Sequence, residues 1–154
     1  MARKHYNPAR TTIPLQLHSI GQAGEAHILA NAKLANEPIT LIVDTGCSLT
    51  SLRADITHNG SPVKLDDDNE NPCSVSGTIN NFSVIKVDSL IIGRLLLPPT
   101  TISLIDFSNI QQLYLAKFGM AIDGLLGSDI LSRYNASISF SKRTLTLFNP
   151  EPKA

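Results

Sequence analysis

A carboxylate, a hydroxyl and a glycine follow one another at the end of an apolar segment in the first third of the chain. The run Leu41–Val43 leads directly into Asp44, Thr45 and Gly46. A carboxylate at the end of a strand can act as an acid or a base in hydrolysis. The same residues also fit a strand that stops in an ordinary turn, with Asp44 accepting hydrogen bonds from nearby backbone amides. On these residues alone, both interpretations stay open.

The pattern of apolar residues around this segment predicts strands. Apolar and polar residues alternate in 12–18, in 26–31 and in 136–148, and the last of these folds back as a hairpin. Helical spacing is found at 108–118 and at 129–134. Further short strands bounded by turn residues are predicted at 38–43, 73–79, 82–92 and 100–105. The sequence therefore predicts an all-β fold with one or two short helices.

The length and composition suit a single domain. A chain of 154 residues, 42% of them hydrophobic, can bury a core of its own. We expect one domain over residues 12–149, between a flexible N-terminal tail, 1–11, and a C-terminal tail, 150–154.

The charge balance argues against several classes of partner. Thirteen basic residues face thirteen acidic ones, so the basic surface that nucleic acids or anionic membranes attract is not expected. No apolar run approaches the roughly 18 residues that span a bilayer, and no signal peptide is visible, which predicts a cytoplasmic protein. Cys47 and Cys73 are too few for a disulfide framework, and no metal-ligand spacing occurs, so neither cofactor nor metal is expected.

A second segment completes a recognisable combination. Leu125, Leu126 and Gly127 follow an apolar stretch and lead into the second predicted helix, after which the terminal hairpin begins. An apolar strand ending in Asp-Thr-Gly-x-Ser, with a later apolar-apolar-Gly before a short helix, resembles the retropepsin-like aspartic proteases. These are single-lobed relatives of retroviral and retrotransposon proteases, with bacterial members. The resemblance spans about residues 15–148 and implies a retropepsin-like lobe, a closed barrel or sandwich.

The resemblance implies an aspartic endopeptidase in which Asp44 is the catalytic residue. Thr45 would hold two such loops together, and Gly46 would let the backbone approach the carboxylate closely. Two carboxylates about 3 Å apart share one proton, so that one serves as base and the other as acid. Neither Asp123 nor Asp129 lies in a second Asp-Thr-Gly. We therefore expect a homodimer whose two-fold axis brings both copies of Asp44 together.

Other residues receive supporting roles from the same resemblance. Leu125, Leu126 and Gly127 are expected to support the Asp-Thr-Gly loop, with Gly127 packed where a side chain would collide. Gly77 is expected at the tip of a flap hairpin, and Ser48 beside the substrate, an extended polypeptide with apolar side chains. An ordinary hairpin turn at Gly77 and a helix-start glycine at Gly127 are the alternatives.

Two further functions stay open. The chain could keep the fold and act as a binding or regulatory module, with Asp44 serving only the loop. A thiol enzyme using Cys47 is disfavoured, because no histidine lies nearby in sequence and a thiolate beside a carboxylate is electrostatically unfavourable. Cys47 stands where the family usually has Ala or Ser, and an oxidisable thiol there predicts a redox-sensitive activity.

Overall fold

The structure, a computed structural model, describes residues 7–63, 73–74, 77–78 and 83–151. In the first half the strands are β1 (Arg10–Ser19), β2 (Ala26–Leu34), β3 (Glu37–Val43), β4 (Ser51–Arg53), β5 (Ser61–Pro62), β6 (Cys73–Ser74) and β7 (Gly77–Thr78). In the second half they are β8 (Ser83–Val87), β9 (Leu90–Ile92), β10 (Leu95–Leu96), β11 (Thr100–Ile105), β12 (Gly124–Leu126), β13 (Ser137–Ser139) and β14 (Thr144–Phe148). The helices are α1 (Ser108–Phe118) and α2 (Ser128–Arg133). The predicted all-β fold with two short helices is confirmed.

Twelve of these strands form one sheet, and β6 and β7 form a separate hairpin. The main path runs β13-β14-β1-β2-β3-β12-β4-β11-β8-β5, with β9 paired to β2 and β10 paired to β9. A barrel closes only when its last strand pairs with its first. Within the described residues β13 and β5 do not pair, so the sheet stays open. The closed barrel considered from the sequence is therefore wrong.

The strand patterns explain which faces are covered. In β1, Thr11, Ile13 and Leu15 are buried while the residues between them are exposed, as expected for a strand with one solvated face. The last three residues of β3, Leu41–Val43, are all buried. This strand lies between β2 and the parallel strand β12, and both of its faces are covered.

Two apolar clusters pack against the sheet. The larger gathers residues from most strands and from α2, including Val43, Leu126 and Ile130. The second lies beneath α1, where Tyr114 is fully buried. Its other buried members are Leu29, Ile42, Cys47, Ile105, Phe107, Ile122 and Leu125. Ile42 and Val43 belong to different clusters because successive side chains of a strand point to opposite faces.

Several predicted boundaries change in the structure. The predicted strand 82–92 is two strands, β8 and β9, which are separated at Asp88 and Ser89. The predicted strand 73–79 is the hairpin β6–β7, whose connecting residues 75–76 lie outside the described residues. In the described part of the chain, no helix has the length and apolarity needed to cross a lipid bilayer.

Candidate active site

Asp44 follows the last residue of β3 and is half-buried. Its amide donates to the carbonyl oxygen of Leu126 at 3.0 Å, which extends the β3–β12 pairing by one step. Its own carbonyl accepts the Cys47 amide at 3.1 Å, and its Oδ1 accepts the Gly46 amide at 3.0 Å. These bonds close a tight turn that fixes the carboxylate at the end of the strand.

The loop that leads from β12 into α2 packs directly against this turn. The carbonyl oxygen of Cys47 accepts the Ser128 amide at 2.7 Å and the Ser128 hydroxyl at 3.1 Å. A Cβ added to Gly127 would lie 2.7 Å from that same oxygen and 3.0 Å from the Thr50 amide nitrogen. These are backbone atoms that cannot move aside freely, so any larger side chain at Gly127 would push the two loops apart.

Thr50 and Asp129 join the two loops from inside. The Thr50 hydroxyl donates to Asp129 Oδ1 at 2.7 Å, and the Thr50 amide donates to the same oxygen at 3.0 Å. The Gly127 amide in turn donates to the Thr50 hydroxyl oxygen at 3.0 Å. Thr50 is fully buried, so these bonds lie out of water. Neither Thr50 nor this role for Asp129 was predicted, and a hydroxyl six residues after Asp44 gives no sequence signal by itself.

The Asp123 carboxylate is bound by groups of β3 and β4. Its carboxylate accepts the Arg53 Nε at 3.0 Å and the Thr40 amide at 2.8 Å. Arg53 also pairs with the exposed Asp55 at 3.0 Å. Asp123 thus links β3 to β4 through the Thr40 amide and the Arg53 ion pair, and these bonds occupy both of its carboxylate oxygens.

The Cys47 thiol points inward. It is fully buried in the cluster beneath α1, and its Sγ lies 3.0 Å from the carbonyl oxygen of Leu49. Burial raises the pKa of the Cys47 thiol, and the charges of Asp44 and Asp129 raise it further. A buried, protonated thiol is a poor nucleophile, which argues against the thiol-enzyme hypothesis.

His27, on the neighbouring strand β2, lies close enough to Asp44 for the charge of that carboxylate to act on it. His27 Nδ1 lies 2.7 Å from the Tyr114 hydroxyl, and the two rings are stacked, with centroids 5.8 Å apart and planes 13° from parallel. Burial lowers the pKa of His27, and the nearby charge of Asp44 acts in the opposite direction. This histidine was not predicted from the sequence, because its proximity to Asp44 depends on the pairing of β2 with β3.

The structure brings most of the predicted site residues together. Asp44, Thr45, Gly46 and Ser48 share one turn, and Gly127 packs beneath it at the end of β12, which contributes Leu125 and Leu126. Thr45 and Ser48 are exposed. No hydrogen bond from the Thr45 side chain is found within the described residues.

Gly77 lies in the separate hairpin. It is the first residue of β7 and pairs with Ser74, next to the connection at residues 75–76. Residues 75–76 lie outside the described ranges, so the role of Gly77 as a flap tip stays a prediction.

Comparisons with known proteins give similarities of fold. Scans of family models and of curated proteins find no match. A search of solved structures finds a retropepsin-like aspartic protease from Rickettsia conorii, with 19% identity and a TM-score of 0.45, over 90% of this chain and 92% of that chain. It also finds edgp, with 13% identity and a TM-score of 0.49, over 94% of this chain and 47% of that chain. The chain thus spans about half the length of edgp, and the Rickettsia protein belongs to the class that the sequence resembles.

Proposed function

We propose that this chain is an aspartic endopeptidase that acts as a homodimer. The observation that carries the proposal is the position of Asp44. Its carboxylate is half-buried at the end of a buried strand and fixed by the Gly46 amide, and its turn is clamped from below by the loop at Gly127. A carboxylate that is held by backbone bonds, and by no cation of the described residues, suits acid–base chemistry better than ion pairing.

The reaction needs two carboxylates. In the proposed dimer, one Asp44 is ionised and removes a proton from a water molecule, whose oxygen attacks the carbonyl carbon of the peptide bond. The other Asp44 is protonated and gives its proton to the carbonyl oxygen, forming a tetrahedral diol. Transfer of a proton to the peptide nitrogen then breaks the C–N bond and releases a carboxyl and an amine product.

Thr45 is proposed to fix the separation of the two carboxylates. Its side chain is exposed beside Asp44 and makes no hydrogen bond within the described residues. A hydroxyl at this place can donate across the two-fold axis to the loop of the partner subunit. Because the pair shares a proton only at about 3 Å, a small change in this separation would remove the chemistry.

The substrate is proposed to be an extended polypeptide. A cleft lined by strands recognises another strand through backbone hydrogen bonds and receives alternate side chains in its pockets. Ser48 is exposed in the same turn as Asp44 and is proposed to contact this strand.

The test is to replace Asp44 by Asn, which keeps the size of the side chain but removes its acid–base function. Cleavage of denatured casein or a peptide library is measured between about pH 4 and 6. The matched control is Asp88→Asn, which changes an exposed carboxylate outside the site. We expect loss of cleavage in Asp44→Asn alone. Undiminished cleavage in Asp44→Asn would refute the proposal, and wild-type protein that binds peptides without cutting them would favour the binding module.

A further inference from the structure

One asparagine of this chain is followed directly by glycine. Asn59–Gly60 is the one Asn-Gly pair of the sequence, and it lies in the loop that leads from β4 into β5. The Asn59 side chain is exposed. The backbone nitrogen of the next residue can attack the side-chain carbonyl of an asparagine, and glycine favours this attack because it has no Cβ to obstruct the approach. The loop thus holds a nucleophile and an electrophile side by side.

A base lies at the attacking nitrogen. The Gly60 amide donates to His58 Nδ1 at 3.1 Å. Because a backbone N–H can only donate, Nδ1 is the unprotonated nitrogen of this ring, and its lone pair points at the proton that the attack must remove. Histidine is the side chain that most often serves as a general base, and 3.1 Å is within the distance that such a transfer needs.

A hydrogen-bond donor lies at the carbonyl oxygen under attack. The hydroxyl of Ser89, between β8 and β9, donates to Asn59 Oδ1 at 3.3 Å. This oxygen gains negative charge when a nucleophile attacks the side-chain carbon, and a donor fixed beside it stabilises that charge. Ser89 is 30 positions away in the chain, so the folded structure brings the donor to the loop.

We propose that the folded chain deamidates its own Asn59, with His58 as the base and Ser89 as the donor to the oxyanion. The Gly60 nitrogen forms a bond to Asn59 Cγ and gives its proton to His58. The protonated His58 passes this proton to the side-chain nitrogen of Asn59. The bond from Cγ to that nitrogen then breaks, and ammonia leaves a cyclic succinimide behind.

Water opens the succinimide in one of two ways. Cleavage of the bond between the Gly60 nitrogen and Cγ gives aspartate at position 59. Cleavage of the bond between the same nitrogen and the backbone carbonyl carbon of Asn59 gives isoaspartate, in which the main chain runs through the former side chain. Both products carry a new carboxylate, and neither requires the chemistry proposed for Asp44.

The isoaspartate product alters the backbone beside an edge strand. Its main chain is longer by a methylene group, and space next to Gly60 is scarce, since an added Cβ there would lie 3.0 Å from the Lys86 carbonyl oxygen and from Val87 Cγ1. The two residues of β5, Ser61–Pro62, follow directly and pair with β8. Because β5 ends the main path of the described sheet, we expect isoaspartate to weaken its pairing with β8.

The test follows Asn59 by peptide mapping with mass spectrometry while the protein is incubated at neutral pH. Wild type, His58→Gln and Ser89→Ala are compared, each folded and unfolded in denaturant. Glutamine can still accept a hydrogen bond but is not a base. In the folded state we expect His58→Gln to slow deamidation about 10-fold or more and Ser89→Ala to slow it about 5-fold. In denaturant all three chains should react at one rate, which should be below that of the folded wild type.

Two other asparagines serve as internal controls. Asn36 and Asn135 are exposed but precede residues that have a Cβ, and they should stay unchanged while Asn59 reacts. Equal rates at Asn59 in folded wild type and folded His58→Gln would overturn the proposal. So would a folded wild type that deamidates Asn59 more slowly than the unfolded chain does, a comparison that needs no substitution.

Amide exchange tests the effect on β5. The Val63 amide donates to the Val84 carbonyl oxygen at 2.9 Å beside this strand. Its exchange should be faster in the isoaspartate form, separated by ion exchange, than in wild type. Asn59→Asp is the matched control, because it adds the charge without lengthening the main chain, and it should exchange as wild type does. Equal exchange in all three forms would refute the weakened strand.

Discussion

The Thr50 hydroxyl donates to the Asp129 carboxylate at 2.7 Å and thereby ties the Asp-Thr-Gly loop to the start of α2. The two residues are 79 positions apart in the chain. The same carboxylate oxygen also accepts the Thr50 amide, so one buried side chain and one helix terminus fix the base of the candidate site. The position of Asp44 therefore depends on groups that lie outside its own turn.

We predict that Thr50→Val lowers both stability and activity. Valine keeps the shape of the side chain but leaves the Asp129 oxygen and the Gly127 amide without their hydroxyl partner, at a cost of about 1 to 3 kcal/mol in the free energy of unfolding. Denaturant unfolding and peptide cleavage measure the two effects. Thr50→Ser, which keeps the hydroxyl, is the control and should recover most of both. A stable and fully active Thr50→Val protein would contradict this role.

We predict that Gly127→Ala lowers stability and cleavage more than the addition of a single methyl group suggests. The added Cβ would meet the Cys47 carbonyl oxygen at 2.7 Å, and overpacking of this kind costs about 1 to 3 kcal/mol. Because the displaced atoms belong to the Asp-Thr-Gly loop, cleavage should fall further than the fraction of folded protein. Thermal unfolding and activity are measured together, beside Ser128→Ala, which removes only one hydroxyl bond to the same oxygen. Unchanged activity in Gly127→Ala would show that the contact is not needed.

We predict that His27 makes stability depend on pH. Burial holds its pKa below the usual 6.5 in the folded protein, so the unfolded chain binds a proton more readily. Stability should therefore fall as the pH decreases from about 6.5 towards the lower folded pKa. The free energy of unfolding, measured at several pH values, should change less steeply with pH in His27→Gln than in the wild type. An identical slope in both proteins would exclude His27 as the source of the pH dependence.

The charge of Asp44 opposes this shift, so its removal should lower the pKa of His27 further. An NMR titration of the His27 ring in wild-type and Asp44→Asn proteins measures the difference directly. The matched control is Asp88→Asn, which should leave the titration unchanged. An equal pKa of His27 in the wild-type and Asp44→Asn proteins would mean that the two groups do not interact.

We predict that Cys47 is protected from oxidation, contrary to the redox hypothesis drawn from the sequence. Its thiol is fully buried, and its raised pKa keeps it protonated. Peroxide should therefore inactivate the wild-type and Cys47→Ala proteins equally, and thiol reagents should label Cys47 far more slowly in folded than in unfolded protein. Faster inactivation of the wild type would restore the redox hypothesis.

Long periodic segments were predictable from the sequence. β1, β3, α1 and the terminal hairpin lie close to their predicted positions, because alternation or helical spacing extends over enough residues to be visible. β12 was not predicted, since the three residues Gly124–Leu126 are too few to show a period. The motif residues from Asp44 to Gly127 were identified from their order in the chain and their resemblance to a family.

The missing parts depend on contacts between distant segments. Thr50 meets Asp129, and His27 meets Tyr114, only once β4, β12 and α1 have packed. The place of β13 at the end of the described sheet likewise follows from the order of strands, which no local pattern encodes. Sequence patterns thus predict elements and motifs, whereas the support of the site and its exposed edges require the fold.

The most direct test of the central claim is the activity of a heterodimer with one wild-type and one Asp44→Asn subunit, isolated through two different tags. If two carboxylates share one proton, a single Asp44 is insufficient, and the heterodimer should keep on the order of 1% of wild-type cleavage or less. Wild-type homodimers carrying the same tags are the control. A heterodimer with about half of the wild-type activity would mean that each Asp44 works alone, and it would contradict the account.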